Sequence, residues 1–477
     1  MSPGAVEARP YVPPAGSIPT LPVPDLAGVR RAHLIGIGGA GMSGIARLLL
    51  ARGVEVSGSD LKASAVLDDL RAAGAEVFVG HRAEQVGDPD VVVVSSAIRE
   101  GNPELAAARA RGIPVLARAQ VLAALTARHR TLAVAGTHGK TTTTSMLAWI
   151  LDRCGLDPTF VVGGDVNEIG SGARHGGGGV FVAEADESDG SFLLLRPEVA
   201  VVTNVEEDHL DFYRGGRTEI EGAFATFVRG AGRVVACGDD PGVRAALARA
   251  GVRALTYGTG GDVDVPVRVL REAPAAGRLG LAEGEVEVAL PAPGAHNVLN
   301  AAAAVLAAGL VGVPASEAAA ALGSFPGVRR RFERRGTARG AEIYEDYAHH
   351  PTEVAATIAA ARRAARGRLV VVFQPHRYTR TEAMWKELGR SLAGADVAVV
   401  TDVYAAGEDP IPGVSGELVA EALREAAPGL PIAYLPHRAD VISFLVREVR
   451  EGDLVLTLGA GDVTTVADEV LRRSEGR

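Results

Sequence analysis

The chain has few of the residues that mark several protein classes. Two cysteines among 477 residues, Cys154 and Cys237, exclude a disulfide framework and fit a reducing compartment. Basic residues (49) are outnumbered by acidic ones (58), and the formal charge of −9 argues against nucleic-acid binding. No long apolar run is present, and the first residues lack the basic and apolar regions of a secretory signal. We therefore expect a cytoplasmic protein with no nucleic-acid and no membrane partner.

Lysine is scarce as well. Only Lys62, Lys140 and Lys386 occur, and all other basic residues are arginine. We interpret this bias, together with the abundance of glycine and alanine, as genome composition. A lysine that is retained inside a motif is then of special interest, because its chemistry is the simplest reason for its presence.

The order of apolar segments predicts three α/β domains. Residues 1–28 hold seven prolines and little periodicity, which is typical of a disordered tail. After it, apolar strands alternate with helical stretches, which predicts parallel sheets with crossover helices. Boundaries near 118 and 327 give a Rossmann-like domain at 29–118, a central P-loop α/β domain at 119–327 and a second Rossmann-like domain at 328–477. Short alternating runs at 258–292 predict a small antiparallel insert in the central domain.

A first glycine loop, residues 36–41, follows a predicted strand and opens a predicted helix. Its G-x-G-x-x-G spacing lets the backbone approach a diphosphate at the helix N-terminus. Asp60 ends the next strand, where a ribose-binding acid is expected in a dinucleotide fold. His81 and the pair Ser95 and Ser96 lie near strand ends and are candidates for the same crevice. The spacing alone leaves NAD and other diphosphate ligands open, as well as a purely structural turn.

A second glycine loop, residues 136–142, also joins a strand to a helix. Its logic is that of a P-loop, in which backbone amides hold phosphates, Lys140 reaches the β- and γ-phosphates and the Thr141 hydroxyl binds Mg²⁺. The first glycine is displaced from its usual place, where Val134 stands, and this argues against ordinary motor or regulatory NTPases. Two phosphate-binding loops in one chain predict two phosphorylated ligands.

Acidic residues follow the next two strands, at 184–189 and 206–208. Four carboxylates within six positions repel one another, and Mg²⁺ with phosphate relieves this repulsion. Because adjacent parallel strands end at one crevice, Thr141, Glu184 and His209 are predicted to converge on one metal–nucleotide site. An ordinary loop histidine is the alternative for His209.

Polar residues also end several strands of the third predicted domain, at 345–351, 374–381, 402–404 and 459–462. Arginine and histidine at such an edge suit a clamp for a carboxylate or a phosphate. The basic run 329–331, at the predicted hinge, is equally compatible with a solvated surface.

Together these segments resemble the Mur ligase family, from about residue 31 to residue 465. The resemblance rests on seven motifs in order: GIGGAGMSGIA at 36–46, GTHGKTTTT at 136–144, EADESD at 184–189, TNVEEDHLDFY at 203–213, HNVLNA at 296–301, DYAHHPTE at 346–353 and FQPHRYTRT at 373–381. The first and last motifs resemble those of the alanine-adding member of the family.

The resemblance implies that the first domain binds the UDP part of UDP-N-acetylmuramate rather than NAD. It implies that the second domain binds ATP and Mg²⁺, and that the third closes over both and brings L-alanine. The implied reaction activates the muramyl carboxylate as an acyl phosphate, which the amine of alanine then attacks. Three alternatives remain: a sister ligase that attaches an intact peptide, an NAD-dependent oxidoreductase, and a P-loop ATPase with a regulatory role.

The resemblance also assigns residues to the implied sites. The UDP-sugar residues are Gly36, Gly38, Gly39, Gly41, Met42, Ser43, Asp60, His81, Ser95 and Ser96. The ATP residues are Gly136, Thr137, His138, Gly139, Lys140, Thr141, Thr142, Asn297, Asn300, Asp346 and His349. The catalytic residues are Lys140, His209, His376, Arg377 and Arg380, and the metal ligands are Thr141, Glu184 and His209.

One family feature has no counterpart in this chain. Several relatives use a carbamylated lysine to help hold a second Mg²⁺, yet no lysine occurs between Lys140 and Lys386. Side-chain acids are the remaining candidates for this duty, and Glu219 and Glu221 are the nearest to His209 along the following stretch. Monomer and homodimer both stay open.

Overall fold

The structure, a computed structural model, describes residues 21–95, 97–167, 170–210 and 212–475. Most of the predicted tail at 1–28, and Ser96, lie outside these residues. The chain divides into two compact units, which are residues 1–267, 279–286 and 299–322, and residues 268–278, 287–298 and 323–477. The predicted boundaries near 118 and 327 stay a prediction.

The first sheet has five strands in the order β3-β2-β1-β4-β5. Its strands are β1 (Arg31–Ile35), β2 (Glu55–Asp60), β3 (Glu76–Val79), β4 (Val91–Val94) and β5 (Val115–Ala117), and its helices are α1 (Ala40–Ala51), α2 (Ala65–Ala72), α3 (Pro103–Ala110) and α4 (Arg118–Thr126). Every strand pair is parallel. The order reverses between β1 and β4, and such a reversal opens a crevice at the carboxyl ends of the strands. The glycine loop 36–41 leaves β1 at this crevice.

The second sheet has ten strands in the order β15-β14-β13-β12-β11-β10-β6-β9-β7-β8. They are β6 (Arg130–Ala135), β7 (Thr159–Val166), β8 (Ser171–Arg174), β9 (Val180–Glu184), β10 (Val199–Val202), β11 (Arg233–Cys237), β12 (Leu255–Gly258), β13 (Val265–Glu272), β14 (Ala275–Leu281) and β15 (Gly284–Ala289). The helices are α5 (Lys140–Arg153), α6 (Arg217–Arg229), α7 (Pro241–Ala250), α8 (Ala295–Gly309) and α9 (Ala315–Leu322). Two-residue turns join β13, β14 and β15, and such turns connect antiparallel strands. The predicted antiparallel insert is therefore confirmed.

The third sheet has six strands in the order β16-β17-β21-β18-β19-β20. They are β16 (Glu333–Ala338), β17 (Ala341–Asp346), β18 (Leu369–Phe373), β19 (Val397–Val400), β20 (Ile432–Tyr434) and β21 (Leu454–Leu458), with α10 (Pro351–Ala364), α11 (Tyr378–Ser391), α12 (Gly416–Ala426), α13 (Arg438–Glu448) and α14 (Thr464–Glu475). Only β16 is antiparallel to its neighbour. The sequence did not predict β16, because its polar residues carry no apolar alternation.

Helix α1 joins the first sheet to the second within the first unit. Its apolar face shares one buried cluster with Val161 of β7 and Ala173 of β8. Gly44 allows this approach, since a Cβ there would lie 3.3 Å from both Val161 and Ala173. The two glycine loops, at 36–41 and 136–142, are thereby held on one continuous core. No helix of the described residues has both the length and the apolar character to cross a bilayer.

Candidate active site

The second glycine loop depends on two glycines that have no room for a side chain. Gly136 has φ +141° and Gly139 has φ +79°, a region that side chains rarely adopt. A Cβ on Gly136 would collide with the Thr203 hydroxyl, and one on Gly139 would lie 2.7 Å from Asn300 Oδ1. The structure thus brings Asn300, an expected ATP residue, against the loop.

The segment after β10 holds the loop from the other side. The Thr203 hydroxyl donates to the carbonyl of His138 at 2.6 Å, and the His138 amide donates to Asn204 Oδ1 at 2.7 Å. The Glu206 amide donates to the Thr137 hydroxyl at 2.9 Å. These bonds keep the loop open for phosphates without a ligand, which is the electrostatic preorganisation that phosphoryl transfer requires.

Lys140 is buried in the loop and already paired. Its Nζ donates to the carbonyl of Gly136 at 2.6 Å and to Glu187 Oε1 at 2.9 Å. Burial favours the neutral amine, but the carboxylates of Glu187, Asp186 and Glu184 outweigh it and raise the pKa of Lys140. The ammonium form that phosphates need is therefore secured.

Thr141 and Glu184 come together as predicted for a metal site. The Thr141 hydroxyl donates to Glu184 Oε1 at 3.1 Å, and Glu184 Oε2 accepts from the amide of Gly163 at 2.7 Å. His209 lies at φ +55°, with its Nε2 3.8 Å from Glu187 and 3.6 Å from Asp208. The histidine thus reaches the lysine–acid pair, and not Glu184 itself.

Glu219 and Glu221 have contacts with residues close to them in the sequence. Glu219 accepts from the amide of Gly215 at 2.7 Å, and Glu221 pairs with Arg217 at 2.8 Å along α6. Their role in place of the carbamate stays a prediction. The acids beside His209 are Glu187 and Asp208.

The first glycine loop is closed on the ends of β1 and β2. Gly36 has φ +81° and its amide donates to the carbonyl of Ser59 at 2.8 Å. The Gly38 amide donates to Asp60 Oδ2 at 2.9 Å, so Asp60 braces the loop. Gly39 accepts from the amide of Ser43 at 2.8 Å, which begins α1.

Two expected UDP-sugar residues have other described contacts. Met42 is 1% exposed and its side chain lies in the core beneath the loop. The first turn of α1 directs the Met42 side chain into the core, so the side chain cannot contact a substrate. Only the backbone of Met42 is available for such a contact. The Ser95 hydroxyl accepts from the amide of Ala97 at 3.3 Å.

A buried carboxylate, Glu104, supports His81 and was missed by the sequence analysis. The Ser59 hydroxyl donates to Glu104 Oε2 at 2.5 Å and lies 2.9 Å from His81 Nδ1, while His33 Nε2 is 3.4 Å from the same oxygen. Burial opposes the charge on Glu104, yet the bonds from His33, His81 and Ser59 lower its pKa to about 2. No spacing connects these residues, since they come from α3, β1, β2 and a loop.

Arg118, at the start of α4, was missed as well. Its guanidinium lies 3.7 Å from Asp186 and 3.7 Å from Asp189. The same guanidinium stands over the first turn of α1, where a Cβ on Gly41 would collide with it. An arginine directly after a strand, at the edge that carries the glycine loop, is the feature that would have revealed it.

In the second unit, His376 is surrounded by aromatic rings and positive charge. Its ring stacks on Tyr404 at 5.7 Å and meets His349 edge-on at 5.4 Å, and its Nδ1 is 3.5 Å from Arg380. Burial, followed by the charges of His349, Arg380 and Arg377, lowers the pKa of His376 to about 3. The ring of His376 is therefore neutral near pH 7.

Arg377 precedes α11 at φ +69°, and its amide donates to the carbonyl of Tyr404 at 2.8 Å. A non-glycine residue in this conformation is uncommon, and such strain concentrates at functional sites. The basic run at 329–331 is partly paired, because Arg330 binds Glu345 at 3.0 Å and lies over the Tyr347 ring at 4.7 Å. It is therefore not simply a solvated surface.

Three further expected ATP residues have local partners. Asp346 accepts from the amides of Phe332 and Ala348, both at 2.7 Å, and burial raises its pKa to about 6. His349 Nδ1 is 3.0 Å from the carbonyl of Tyr347, and Asn297 Nδ2 donates to the carbonyl of Pro293 at 2.7 Å. Thr142, the last residue of the loop motif, lies on the first turn of α5.

Three family models match the chain in order. They are the Mur ligase family, catalytic domain, at residues 31–130, the Mur ligase middle domain at 134–308, and the Mur ligase, glutamate ligase domain, at 330–461. Two similar proteins, both named UDP-N-acetylmuramate–L-alanine ligase, come from Saccharopolyspora erythraea and Kineococcus radiotolerans. The first is 51% identical over 94% of each chain, and the second is 52% identical over 94% of this chain and 97% of its own.

Solved structures agree with these matches. The UDP-N-acetylmuramate–alanine ligase of Thermotoga maritima has a TM-score of 0.81 and 29% identity, covering 94% of this chain and 99% of its own. A murein peptide ligase of Psychrobacter arcticus has a TM-score of 0.70 and 26% identity, covering 93% and 98%. The three-domain α/β fold is thereby confirmed, and the chain belongs to the Mur ligase family.

Proposed function

We propose that this protein joins L-alanine to the carboxylate of UDP-N-acetylmuramate, with conversion of ATP to ADP and phosphate, in peptidoglycan precursor synthesis. The observation that carries the proposal is the phosphate loop at 136–142, whose Lys140 is charged and preorganised beside an acidic pair, on the same core as a second glycine loop. Relatives of about 50% identity along almost the whole chain bear the corresponding name. The two free cysteines fit a reducing compartment, which we take to be the cytoplasm.

The loop at 136–142 takes the ATP phosphates in this proposal. Backbone amides and the Lys140 ammonium neutralise the charge that spreads over the γ-phosphoryl group during transfer. An oxygen of the muramyl carboxylate attacks the phosphorus, ADP leaves, and an acyl phosphate forms. The activated carbon is then open to an amine, because phosphate is a far better leaving group than hydroxide.

Thr141 and Glu184 fit a magnesium ion. A hydroxyl and a carboxylate oxygen 3.1 Å apart, next to a phosphate loop, are the hard oxygen donors that Mg²⁺ prefers. When bound, the ion neutralises phosphate charge. His209 reaches this region through Glu187, so we keep it as a neighbour of the metal site with Thr141 and Glu184 as the ligands closest to the loop.

The alanine amine attacks the acyl carbon as a neutral amine and loses one proton as phosphate leaves. The cluster around His376 supplies positive charge from Arg377 and Arg380, which suits the carboxylate of alanine. His376, whose pKa is lowered to about 3, contributes a neutral ring that contacts Arg380 within this cluster. We propose Arg380 as the principal carboxylate contact because it already reaches the His376 ring.

The test is phosphate release from ATP with UDP-N-acetylmuramate and a panel of acceptors. We expect release with L-alanine, weaker release with glycine and L-serine, and none without the UDP-sugar. Release that depends on an intact tripeptide instead of L-alanine would indicate the sister activity of the murein peptide ligases. Reduction of NAD in the presence of a 2-hydroxy acid, without ATP use, would overturn the proposal entirely.

A further inference from the structure

We propose that Arg118 binds the diphosphate of the UDP-sugar and, by leaving Asp186 and Asp189, links the first glycine loop to the acidic segment of the phosphate site. This rests on the proposed function, since it takes the loop at 36–41 as the place of the UDP diphosphate. It adds a substrate-contacting residue that neither the loop spacing nor the acidic motif indicates.

Arg118 lies at the same edge of the first sheet as the first glycine loop. It is the first residue of α4, directly after β5, so its backbone lies at the carboxyl edge of the first sheet. The loop at 36–41 leaves β1 at that same edge. The side chain extends over the first turn of α1, and its Cδ would be 3.2 Å from a Cβ on Gly41.

The absence of a side chain at Gly41 leaves space for the Arg118 guanidinium. Its φ is not in the positive range, so its backbone does not require glycine. The space that a side chain would occupy is instead filled by the Arg118 guanidinium. The last glycine of the loop thus makes room for a cation beside the backbone amides that face a diphosphate.

The ion pairs that Arg118 makes with Asp186 and Asp189 are long. Arg118 is 21% exposed, and its guanidinium is 3.7 Å from each of Asp186 and Asp189, beyond hydrogen-bond distance. The carboxylates therefore attract the guanidinium without occupying its donors. A diphosphate, with two charged groups and a geometry that suits paired N–H donors, is the stronger partner.

Binding of a diphosphate by Arg118 changes the charge around Asp186 and Asp189. When the guanidinium turns to the diphosphate, Asp186 and Asp189 lose a neighbouring positive charge. The acidic segment 184–189 then becomes more attractive to cations, which strengthens the site that neighbours Lys140. Binding of the UDP-sugar at the first loop thereby changes the cation affinity of the second site through the movement of Arg118.

The test compares nucleotides with and without a β-phosphate. Calorimetry on the full chain, with EDTA and no ATP, measures binding of UDP-N-acetylmuramate, UDP and UMP to wild type, Arg118→Ala and Arg118→Lys. We expect Arg118→Ala to weaken UDP and UDP-N-acetylmuramate by about 10- to 100-fold and UMP by much less, with Arg118→Lys recovering only part of the loss. Arg111→Ala, at an exposed arginine paired with Asp88, is the charge-matched control and should change none of the three.

Two results would overturn the inference. Equal losses for UDP and UMP, or no loss in either Arg118 variant while wild type binds UDP-N-acetylmuramate, would show that Arg118 does not contact the diphosphate. Failure of wild type to bind any uridine nucleotide would instead overturn the proposed function, and this inference with it.

A double-mutant cycle tests the link to the acids. Asp189→Asn keeps the oxygen that accepts from the amide of Ser191 but removes the charge that attracts Arg118. We expect it to tighten UDP binding by about 2- to 5-fold in the wild-type background and to have no effect in the Arg118→Ala background. An equal effect in both backgrounds would show that Asp189 acts independently of Arg118.

Discussion

The phosphate loop at 136–142 and the strand-end cluster around His376 present charge in opposite ways. In the loop region, a single ammonium, Lys140, is set among the carboxylates of Glu187, Asp186 and Glu184, so negative charge exceeds positive charge there. Around His376, arginines and a second histidine surround a neutral ring, and positive charge dominates. A site rich in carboxylates beside a phosphate loop suits a phosphate that comes with a metal cation, whereas a positive site suits a bare carboxylate.

Two buried carboxylic acids, Glu104 and Asp346, have pKa values that are shifted in opposite directions. Glu104 receives hydrogen bonds from side chains that stabilise its charge, and its pKa falls to about 2. Asp346 is buried beside two backbone amides, burial dominates, and its pKa rises to about 6. Burial alone therefore does not decide the charge of a carboxyl group, because the number and kind of donors that face it decide as well.

The largest effect is expected at Lys140. Lys140→Ala should lower kcat by about 10²–10³, because it removes a contact to the transferred phosphoryl group. UDP-N-acetylmuramate binding, measured by calorimetry, should survive, since the first glycine loop is untouched. Lys386→Ala, at an exposed lysine on α11, is the matched control. Normal turnover of Lys140→Ala would show that the loop at 136–142 does not bind the ATP phosphates.

Replacement of Glu104 should give the next largest effect, on stability. The folded pKa of about 2 lies below the unfolded value, so the carboxylate stabilises the fold above about pH 4.5 and loses this contribution as the pH falls toward 2. Glu104→Gln should lower the free energy of unfolding by roughly 3 kcal/mol at pH 7. Denaturant titrations of both proteins should converge as the pH falls toward 3. A constant difference at all pH values would argue against a charged Glu104.

Asp346 should show the reverse dependence, with a smaller effect. Its folded pKa is raised to about 6, so the protonated form is favoured and its stabilising contribution is full below the unfolded value, near pH 4. That contribution is lost as the pH rises toward 6. Urea titrations between pH 4 and 7 should show a decline in wild type that Asp346→Asn lacks. The same slope in both proteins would assign the decline to other groups.

The positive cluster is tested at Arg380. Arg380→Ala should raise the KM for alanine by about 10-fold or more, with ATP binding preserved, since a guanidinium pairs with a carboxylate. Arg377→Ala should act in the same direction, and lysine should rescue neither residue. Arg390→Ala, exposed on α11, is the control for general loss of charge. An unchanged KM in both variants would place the alanine carboxylate elsewhere.

No effect on activity is expected from bicarbonate or chloride. The chain has no lysine between Lys140 and Lys386, so the stretch after His209 holds no lysine that could carry a carbamate, and Lys140 has to stay cationic to bind phosphates. Removal of dissolved bicarbonate by degassing should leave activity unchanged, and chloride should not stimulate it. Activity lost on degassing and restored by bicarbonate, or a lysine heavier by one carbon dioxide, would reveal a modified lysine after all.

The local sequence was sufficient for the elements around both glycine loops. The apolar runs that predict β4 and β21 are buried on both faces, and the strand–glycine–helix order predicts the position of Lys140 at the start of α5. Such patterns are read within ten residues, so no distant contact is needed. The family followed from the ordered motifs for the same reason.

Contacts between distant segments decided the rest. The partners of Glu104 come from three other elements, and Arg118 meets acids about 70 residues away in the chain. Glu219 and Glu221 are near His209 along the chain, and the partners that the fold gives them are Gly215 and Arg217. Sequence distance is a poor guide to charge neighbours once a helix has set the direction of its side chains.

The sequence by itself determined the fold class, the two phosphate loops and the membership of the Mur ligase family, because each depends on local periodicity and short motifs. Only the tertiary structure decided which charges meet, that Lys140 is held by Glu187, and that burial and neighbouring cations lower the pKa of His376. The physical reason is that a pKa depends on burial and on charges within a few ångströms, and these neighbours come from strands that only the folded sheet brings together.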